Sequence, residues 1–209
     1  YAMSAVYAGA IGLSVPQIAV FVSASILGGM AFQWPIGRLS DKLDRRRVLT
    51  AVTFAAAVAA LAAGALADGQ VIALYAVMFL LGGMSLPMYS LCIAHTNDYL
   101  TPKQMVAASG TLMLVGGAGA VLGPVAVSLL MREMGPDGFF VCVGAVHAAI
   151  GVFALYRMTR RAPLPLAEQG ASVPVASTVA TPTGALPVEA LRDQMDRDLA
   201  AMAAPRRRR

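Results

Sequence analysis

Long apolar stretches alternate with short polar ones along the first 160 residues of this chain. A membrane-spanning helix needs about 20 mainly apolar residues, because each residue rises about 1.5 Å and the hydrocarbon layer is about 30 Å thick. Several stretches reach that length. The pattern therefore predicts five complete spans, at residues 16–36, 48–67, 71–94, 105–131 and 139–156.

The start of the chain is also apolar, but it is too short to cross a membrane. Residues 1–11 are interpreted as the end of a span that begins before Tyr1, and a tight turn with Pro16 follows. No basic segment or cleavage site precedes the apolar run, so a signal peptide is not expected. With this partial span, we expect six helices.

The densest charge cluster of the first 150 residues runs from Gly37 to Arg47, between the first two complete spans. Each Lys or Arg at the centre of a bilayer costs about 2.5–3.5 kcal/mol on insertion scales. We therefore expect residues 37–47 to form a short loop on the cytoplasmic side, where positive charge is retained.

The distribution of charge along the chain supports a membrane protein. Only 13% of residues are charged and 58% are hydrophobic, whereas soluble domains carry about 25% charged residues. Alternation from the loop at 37–47 places nine basic residues of the first 161 inside and one outside, which follows the positive-inside rule. The net charge of +5 is therefore explained by topology, and nucleic-acid binding is not expected.

The character of the chain changes after Arg161, so the transmembrane domain is predicted to be 1–161. Residues 162–186 are rich in Pro, Ala, Ser and Thr and predict a disordered cytoplasmic linker. Apolar residues then recur at helical spacing over 187–202, and the chain ends in four arginines. Two interpretations stay open for this tail: a basic amphipathic helix on the anionic leaflet, or a solvated, partly helical segment.

The predicted spans contain few residues that could catalyse a reaction or bind a metal ion. They contain no Asp, Glu, Lys or Arg, so no catalytic residue and no metal or cofactor site is expected, and the protein is not expected to be an enzyme. A carboxylate for proton coupling would lie outside this stretch. His147 stands alone and is expected to make an interhelical hydrogen bond. Cys92 and Cys142 fall near opposite faces of the membrane and are expected to be unpaired, buried thiols.

The third complete span has an aromatic and polar face, whose members lie within about 80° of one another at 100° per residue. Two interpretations stay open, a wall of a substrate cavity or a seam between helices. Pro87 cannot donate to the carbonyl of Gly83, so a kink or hinge is expected there. The face consists of Tyr75, Met78, Gly82, Ser85 and Tyr89.

Small residues form stripes on two other spans. In the first complete span Ser25, Gly29, Gln33 and Gly37 are spaced four apart, and the Gln33 amide needs a hydrogen-bond partner inside the membrane. In the fourth, small residues four apart favour close helix packing, with hinge motion as the alternative. They are Gly116 with Ala120 and Gly119 with Gly123, followed by Pro124.

The charged cluster resembles a known signature. Gly37-x-x-x-Asp41-Lys42-x-x-Arg45-Arg46 is similar to motif A of the major facilitator superfamily, whose members have twelve spans in two six-span halves. Six spans, the motif after the second of them and a cytoplasmic C-terminus match the C-terminal half over about residues 1–161. The resemblance implies an all-α membrane protein, the C-terminal half of a twelve-helix transporter.

Three further segments, 33–38, 94–98 and 116–124, look like those of a bacterial exporter-like branch with poorly defined substrates. One position departs from the family pattern, because Asp44 stands where the family usually has Gly. This departure is expected to remove the tight turn that Gly allows and to add a negative charge beside Arg45.

The resemblance also implies a mechanism, which is secondary active export of a small molecule by alternating access in the bacterial cytoplasmic membrane. The partner of this chain would be the N-terminal six-helix half. The motif would form a cytoplasmic gate. In this gate Asp41 accepts hydrogen bonds from basic residues and faces the N-terminus of a helix in the other half. By the family's pattern, the first, third and fourth complete spans face the cavity. The implied cavity residues are Gln33, Tyr75, Ser85, Tyr89 and Thr111. The alternative is a membrane scaffold or sensor that recruits a partner through its basic tail.

Overall fold

The computed structural model describes residues 2–66, 70–160, 165 and 169–170. All its regular elements in these ranges are α-helices. Residues 67–69, between the second and third predicted spans, and nearly all of the predicted tail, including the helix at 187–202, lie outside the described residues. The helices are α1 (Ala2–Ala10), α2 (Val15–Lys42), α3 (Arg45–Leu66), α4 (Val71–Asn97), α5 (Pro102–Met134) and α6 (Gly138–Arg160).

The five predicted spans are confirmed as helices. Each of α2 to α6 is long and apolar enough to cross a membrane, and α1 has nine residues. Most helices extend past the predicted ends of the spans by several residues. The predicted boundaries marked where the apolar pattern stops, and the helices continue into the polar region beyond it.

The expectation that residues 37–47 form a loop is wrong. α2 continues through Lys42 and α3 begins at Arg45, so only Leu43 and Asp44 connect them. The cost of burying charge excludes these residues from hydrocarbon, but it does not exclude them from a helix that projects into water. The charged cluster is therefore the end of one helix and the start of the next.

The tightest helix contact joins α2 and α4. A Cβ atom added to Gly28 of α2 would collide with the backbone carbonyl of Phe79, and one added to Gly82 of α4 would collide with that of Ser25. The missing side chains therefore let the two backbones approach closely. α3 packs on α6 in a similar way, with Gly151 against the ring of Phe54.

α5 is the least covered of the long helices. It packs mainly on α6, with a smaller contact to α1. Within the described part of the chain, no atom outside the helix's own backbone lies within 4 Å of a Cβ added at Gly116, Gly119 or Gly123. The close packing expected of these glycines is therefore not made to another described helix.

Candidate functional site

Arg45 lies buried in the first turn of α3 and contacts four other residues, which together we name the Arg45 cluster. Its Nε donates to Ser40 Oγ at 3.1 Å, and its Nη1 donates to the two carboxylate oxygens of Asp98 at 2.9 and 2.8 Å. Its Nη2 donates to Asp41 Oδ1 at 3.3 Å and to the carbonyl of Gly170 at 2.7 Å. All three nitrogens of the guanidinium therefore donate to acceptors of the protein.

The Arg45–Asp98 ion pair is the buried centre of this cluster. The side chains are 2% and 4% exposed, and the bond lengths are those of charge-assisted hydrogen bonds. Burial raises the pKa of the Asp98 carboxyl, although the Arg45 guanidinium and the Gly170 amide both oppose the rise. Asp98 directly follows α4, so the pair joins the start of α3 to the end of α4.

Asp41 has a different environment from Asp98. Its side chain is 38% exposed at the end of α2, and its bond from Arg45 is the longest in the cluster. The expectation that Asp41 accepts from a basic residue of the motif therefore holds for Arg45. Of the other basic residues, Lys42 is exposed and Arg46 makes an ion pair with Asp44 at 3.1 Å.

Asp44 begins α3 as its N-cap. Its carboxylate accepts from the backbone N–H of Arg46 at 3.0 Å, and its carbonyl accepts from that of Arg47 at 2.9 Å. Burial raises the pKa of the Asp44 carboxyl, but the side-chain and backbone hydrogen bonds from Arg46 outweigh this effect and hold the pKa below its ordinary value. The departure from Gly therefore does not disrupt the connection, because Asp caps the helix and its charge is paired with Arg46.

Comparison with known proteins identifies the family of this chain. The sequence pattern of the Major Facilitator Superfamily matches residues 1–199 of this chain. The chain belongs to the major facilitator superfamily. With five helices long enough to cross a membrane, it is a multi-pass membrane protein of that superfamily.

Individual relatives agree with this assignment. The chain is similar to an uncharacterized MFS-type transporter, YcaD, of Escherichia coli O139:H28 (strain E24377A / ETEC) and to YcaD of Escherichia coli strain K12 / DH10B. Each is 32% identical over 151 residues, which cover 72% of this chain and 37% of the relative. The chain thus spans well under half the length of these relatives. No solved structure matches it.

Two of the predicted cavity residues of this superfamily member make hydrogen bonds between helices. The Gln33 amide donates to Ser90 Oγ of α4 at 2.8 Å, which supplies the partner that Gln33 requires. Ser85 Oγ lies 3.0 Å from Nε2 of His147 on α6, and this contact confirms the interhelical hydrogen bond expected of His147.

The other predicted cavity residues differ in their surroundings. Tyr75 packs against the main hydrophobic core, Tyr89 is 39% exposed on α4, and Thr111 is exposed on α5. Along α4, Met78 and Gly82 are buried, and Gly82 packs against α2. That part of the face is therefore a helix seam, which was one of the two interpretations left open.

The predicted hinge positions of α4 lie within a continuous helix. Pro87 is buried inside α4, and a Cβ atom at Gly83 would meet the ring of Phe32 of α2 at 2.8 Å. The expectation of unpaired thiols is confirmed, since Cys92 and Cys142 are both free. Cys142 is buried, as expected, whereas Cys92 is partly exposed.

Sequence reasoning missed three members of the Arg45 cluster. Ser40 lies inside the motif but is not part of its pattern, and Gly170 carries no signal that could single it out. Asp98 could have been predicted, because it ends the segment 94–98 that resembled the exporter-like branch. A lone carboxylate at the end of a span, on the same side as a basic motif, is the signal that could have found it.

Proposed function

We propose that this chain is the C-terminal half of a secondary active transporter that exports a small molecule by alternating access. Family membership and the transporter names of its relatives support transport. The substrate site would lie near the membrane midplane between this half and an N-terminal six-helix half. The gate would lie at the motif residues Gly37, Asp41, Lys42, Arg45 and Arg46, on the cytoplasmic side of a bacterial cytoplasmic membrane.

The observation that carries this proposal is the contrast between the two carboxylates of the Arg45 cluster. Asp98 is buried and joins Arg45 to the end of α4, whereas the Asp41 side chain is 38% exposed at the end of α2. The buried pair would support the connection from inside, and the exposed side of the Asp41 carboxylate would meet the positive N-terminal end of a helix in the other half. A contact worth about 1–3 kcal/mol is of the size that a conformational cycle can make and break.

Two of the predicted cavity residues would face a cavity between the halves. Tyr89 and Thr111 are exposed on α4 and α5, which supports this role. Gln33, Tyr75 and Ser85 would contribute from behind, by fixing the helices around that cavity. No cofactor is needed for this mechanism, and the coupling ion, including a proton, is left open.

The test uses Asp41→Asn in the full-length, cysteine-free protein, with Tyr89→Cys or Thr111→Cys as a reporter. Loss of the Asp41 charge weakens the gate, so a membrane-impermeant maleimide should label the reporter several-fold faster in inside-out vesicles, at unchanged protein abundance. Glu133→Gln is the matched control, because Glu133 is an exposed acidic residue in the last turn of α5, with a side chain 69% exposed. Equal labelling of the parent and Asp41→Asn at both reporters would show that Asp41 is not a gate.

A further inference from the structure

The chain beyond α6 returns to the Arg45 cluster through the backbone of Gly170. The carbonyl of Gly170 accepts from Arg45 Nη2 at 2.7 Å, and its N–H donates to Asp98 Oδ1 at 3.1 Å. Both bonds are long-range, since the partners are 125 and 72 positions away along the sequence. One residue therefore contacts both members of the buried ion pair.

This contact completes the hydrogen bonding of a buried group. Each of the three guanidinium nitrogens donates to a protein acceptor, and the bond from Nη2 to the carbonyl of Gly170 is the shortest of the set. Gly170 is itself exposed, so it lies between the ion pair and the solvent. Without it, one N–H of a buried cation and one carboxylate lone pair would lose their protein partners.

The ion pair recognises a peptide backbone and not a particular side chain. Among the described residues, a Cβ atom added to Gly170 would meet only Asp98 Oδ1, at 3.9 Å, which is an ordinary contact. Alanine therefore fits, and its backbone keeps both the acceptor and the donor. Proline keeps the acceptor and removes the donor, so these two substitutions separate the hydrogen bond from the presence of a side chain.

We propose that the Arg45–Asp98 pair is a binding site for a peptide backbone, occupied by that of this chain's own Gly170, and that its occupancy strengthens the gate at Asp41. Asp41 and Gly170 share the Nη2 group of Arg45. While Gly170 is bound, it takes the shorter of the two Nη2 bonds, and Asp41 takes the longer one, at 3.3 Å. When Gly170 leaves, Arg45 turns more of its charge to Asp41 and competes with that contact. The effect on the gate depends on the proposed function, whereas the binding of Gly170 does not.

Binding is tested first, by hydrogen–deuterium exchange of the full-length protein in nanodiscs. A synthetic peptide of residues 162–180 gives the exchange rate of the free chain. The Gly170 amide should exchange at least tenfold more slowly in the protein than in the peptide, and Gly170→Ala should keep this protection at position 170. Exchange at the rate of the peptide would overturn the binding site.

The effect on the gate is tested with the same Tyr89→Cys and Thr111→Cys reporters. Gly170→Pro should raise labelling from the cytoplasmic side several-fold, and Gly170→Ala should label like the parent. A chain that ends at Arg161 should behave like Gly170→Pro, whereas one that ends at Val175 should behave like the parent, which separates Gly170 from the basic end of the tail.

The outcomes distinguish this proposal from the proposed function. If the Gly170 amide is protected and Asp41→Asn raises labelling but Gly170→Pro does not, the link between binding and gate is overturned while the gate stands. If Asp41→Asn has no effect either, the gate itself fails, and the exchange result still decides whether Gly170 binds.

Discussion

The two carboxylates that accept hydrogen bonds from Arg45, those of Asp41 and Asp98, differ strongly in their exposure to water. Asp98 is 4% exposed and shares two short bonds with the guanidinium, whereas Asp41 is 38% exposed and shares one long bond. Breaking a buried pair leaves an uncompensated charge away from solvent, which costs about 3–5 kcal/mol. Exposed pairs contribute about 0–1 kcal/mol, because water screens them and solvates the remaining partner.

Asp98→Asn should therefore destabilise the protein far more than Asp41→Asn. Asparagine keeps the shape of the side chain in both variants, and each variant loses the charge and one acceptor oxygen, so the two losses can be compared directly. We expect a loss of about 3–5 kcal/mol in the free energy of unfolding for Asp98→Asn and at most about 1 kcal/mol for Asp41→Asn. Denaturant unfolding in detergent, followed by circular dichroism, measures both. Equal losses would show that the burial of Asp98 does not decide its contribution.

Asp44 tests the role of the N-cap. Asp44→Ala removes the acceptor for the Arg46 amide and should cost about 1 kcal/mol of unfolding free energy, whereas Asp44→Asn keeps a cap oxygen and should cost less. The fold lowers the pKa of the Asp44 carboxyl, so the ionised carboxylate stabilises the folded state. This contribution is fully present above the pKa of the unfolded chain, about 3.9, and disappears as the pH falls through the lower pKa of the folded state. The gap between parent and Asp44→Ala should thus shrink below about pH 4; a gap that does not depend on pH would contradict the assignment.

At the scale of helices, the glycines fall into two groups that the sequence alone does not separate. Gly28 and Gly82 lie where a Cβ atom would collide with the backbone of the facing helix. Gly116, Gly119 and Gly123 meet no neighbour within 4 Å among the described residues. The first group is required for the α2–α4 contact, and the second leaves a face of α5 open.

Gly82→Ala should therefore destabilise the 209-residue chain, by about 1–3 kcal/mol, because α2 and α4 must move apart. Gly119→Ala is the matched control in the same chain. It should be neutral or stabilising, since alanine favours a helix over glycine by about 1 kcal/mol. Thermal unfolding in detergent compares the two.

Destabilisation of the 209-residue chain by Gly119→Ala would show that this part of α5 is packed. In the full-length protein, a loss with Gly119→Ala that is absent from the 209-residue chain would place this face against the N-terminal half.

The elements were largely predictable from the sequence, because a run of about 20 apolar residues has few alternatives to a transmembrane helix. Their ends were not, since the charges of Lys42 and Arg45 fix depth in the membrane but not backbone conformation. The need of Gln33 for a partner was predictable, but Ser90 was not, because the rotation of α2 against α4 depends on contacts between distant segments. The role of Gly170 could not be predicted for the same reason, because it depends on the position of this residue beside Arg45 and Asp98 in the fold.

In the molecule as a whole, three separate parts of the chain meet at one end of the bundle. The connection between α2 and α3, the end of α4 and Gly170 after α6 all contribute to the Arg45 cluster. The sequence predicted that these parts share one side of the membrane, from the alternation of spans and the distribution of basic residues. Their contacts support that order, and which side it is stays a prediction.

The orientation can be measured with one exposed residue at each end of the bundle. Lys42 ends α2 beside the Arg45 cluster, and Glu133 lies at the end of α5, before the turn to α6. Lys42→Cys and Glu133→Cys in the full-length, cysteine-free protein place a single thiol at each. A membrane-impermeant maleimide added to intact cells should label Glu133→Cys alone, and inside-out vesicles should give the reverse, because the positive-inside rule places the basic cluster in the cytoplasm. Labelling of Lys42→Cys in intact cells would invert the topology and move the proposed gate to the outer side.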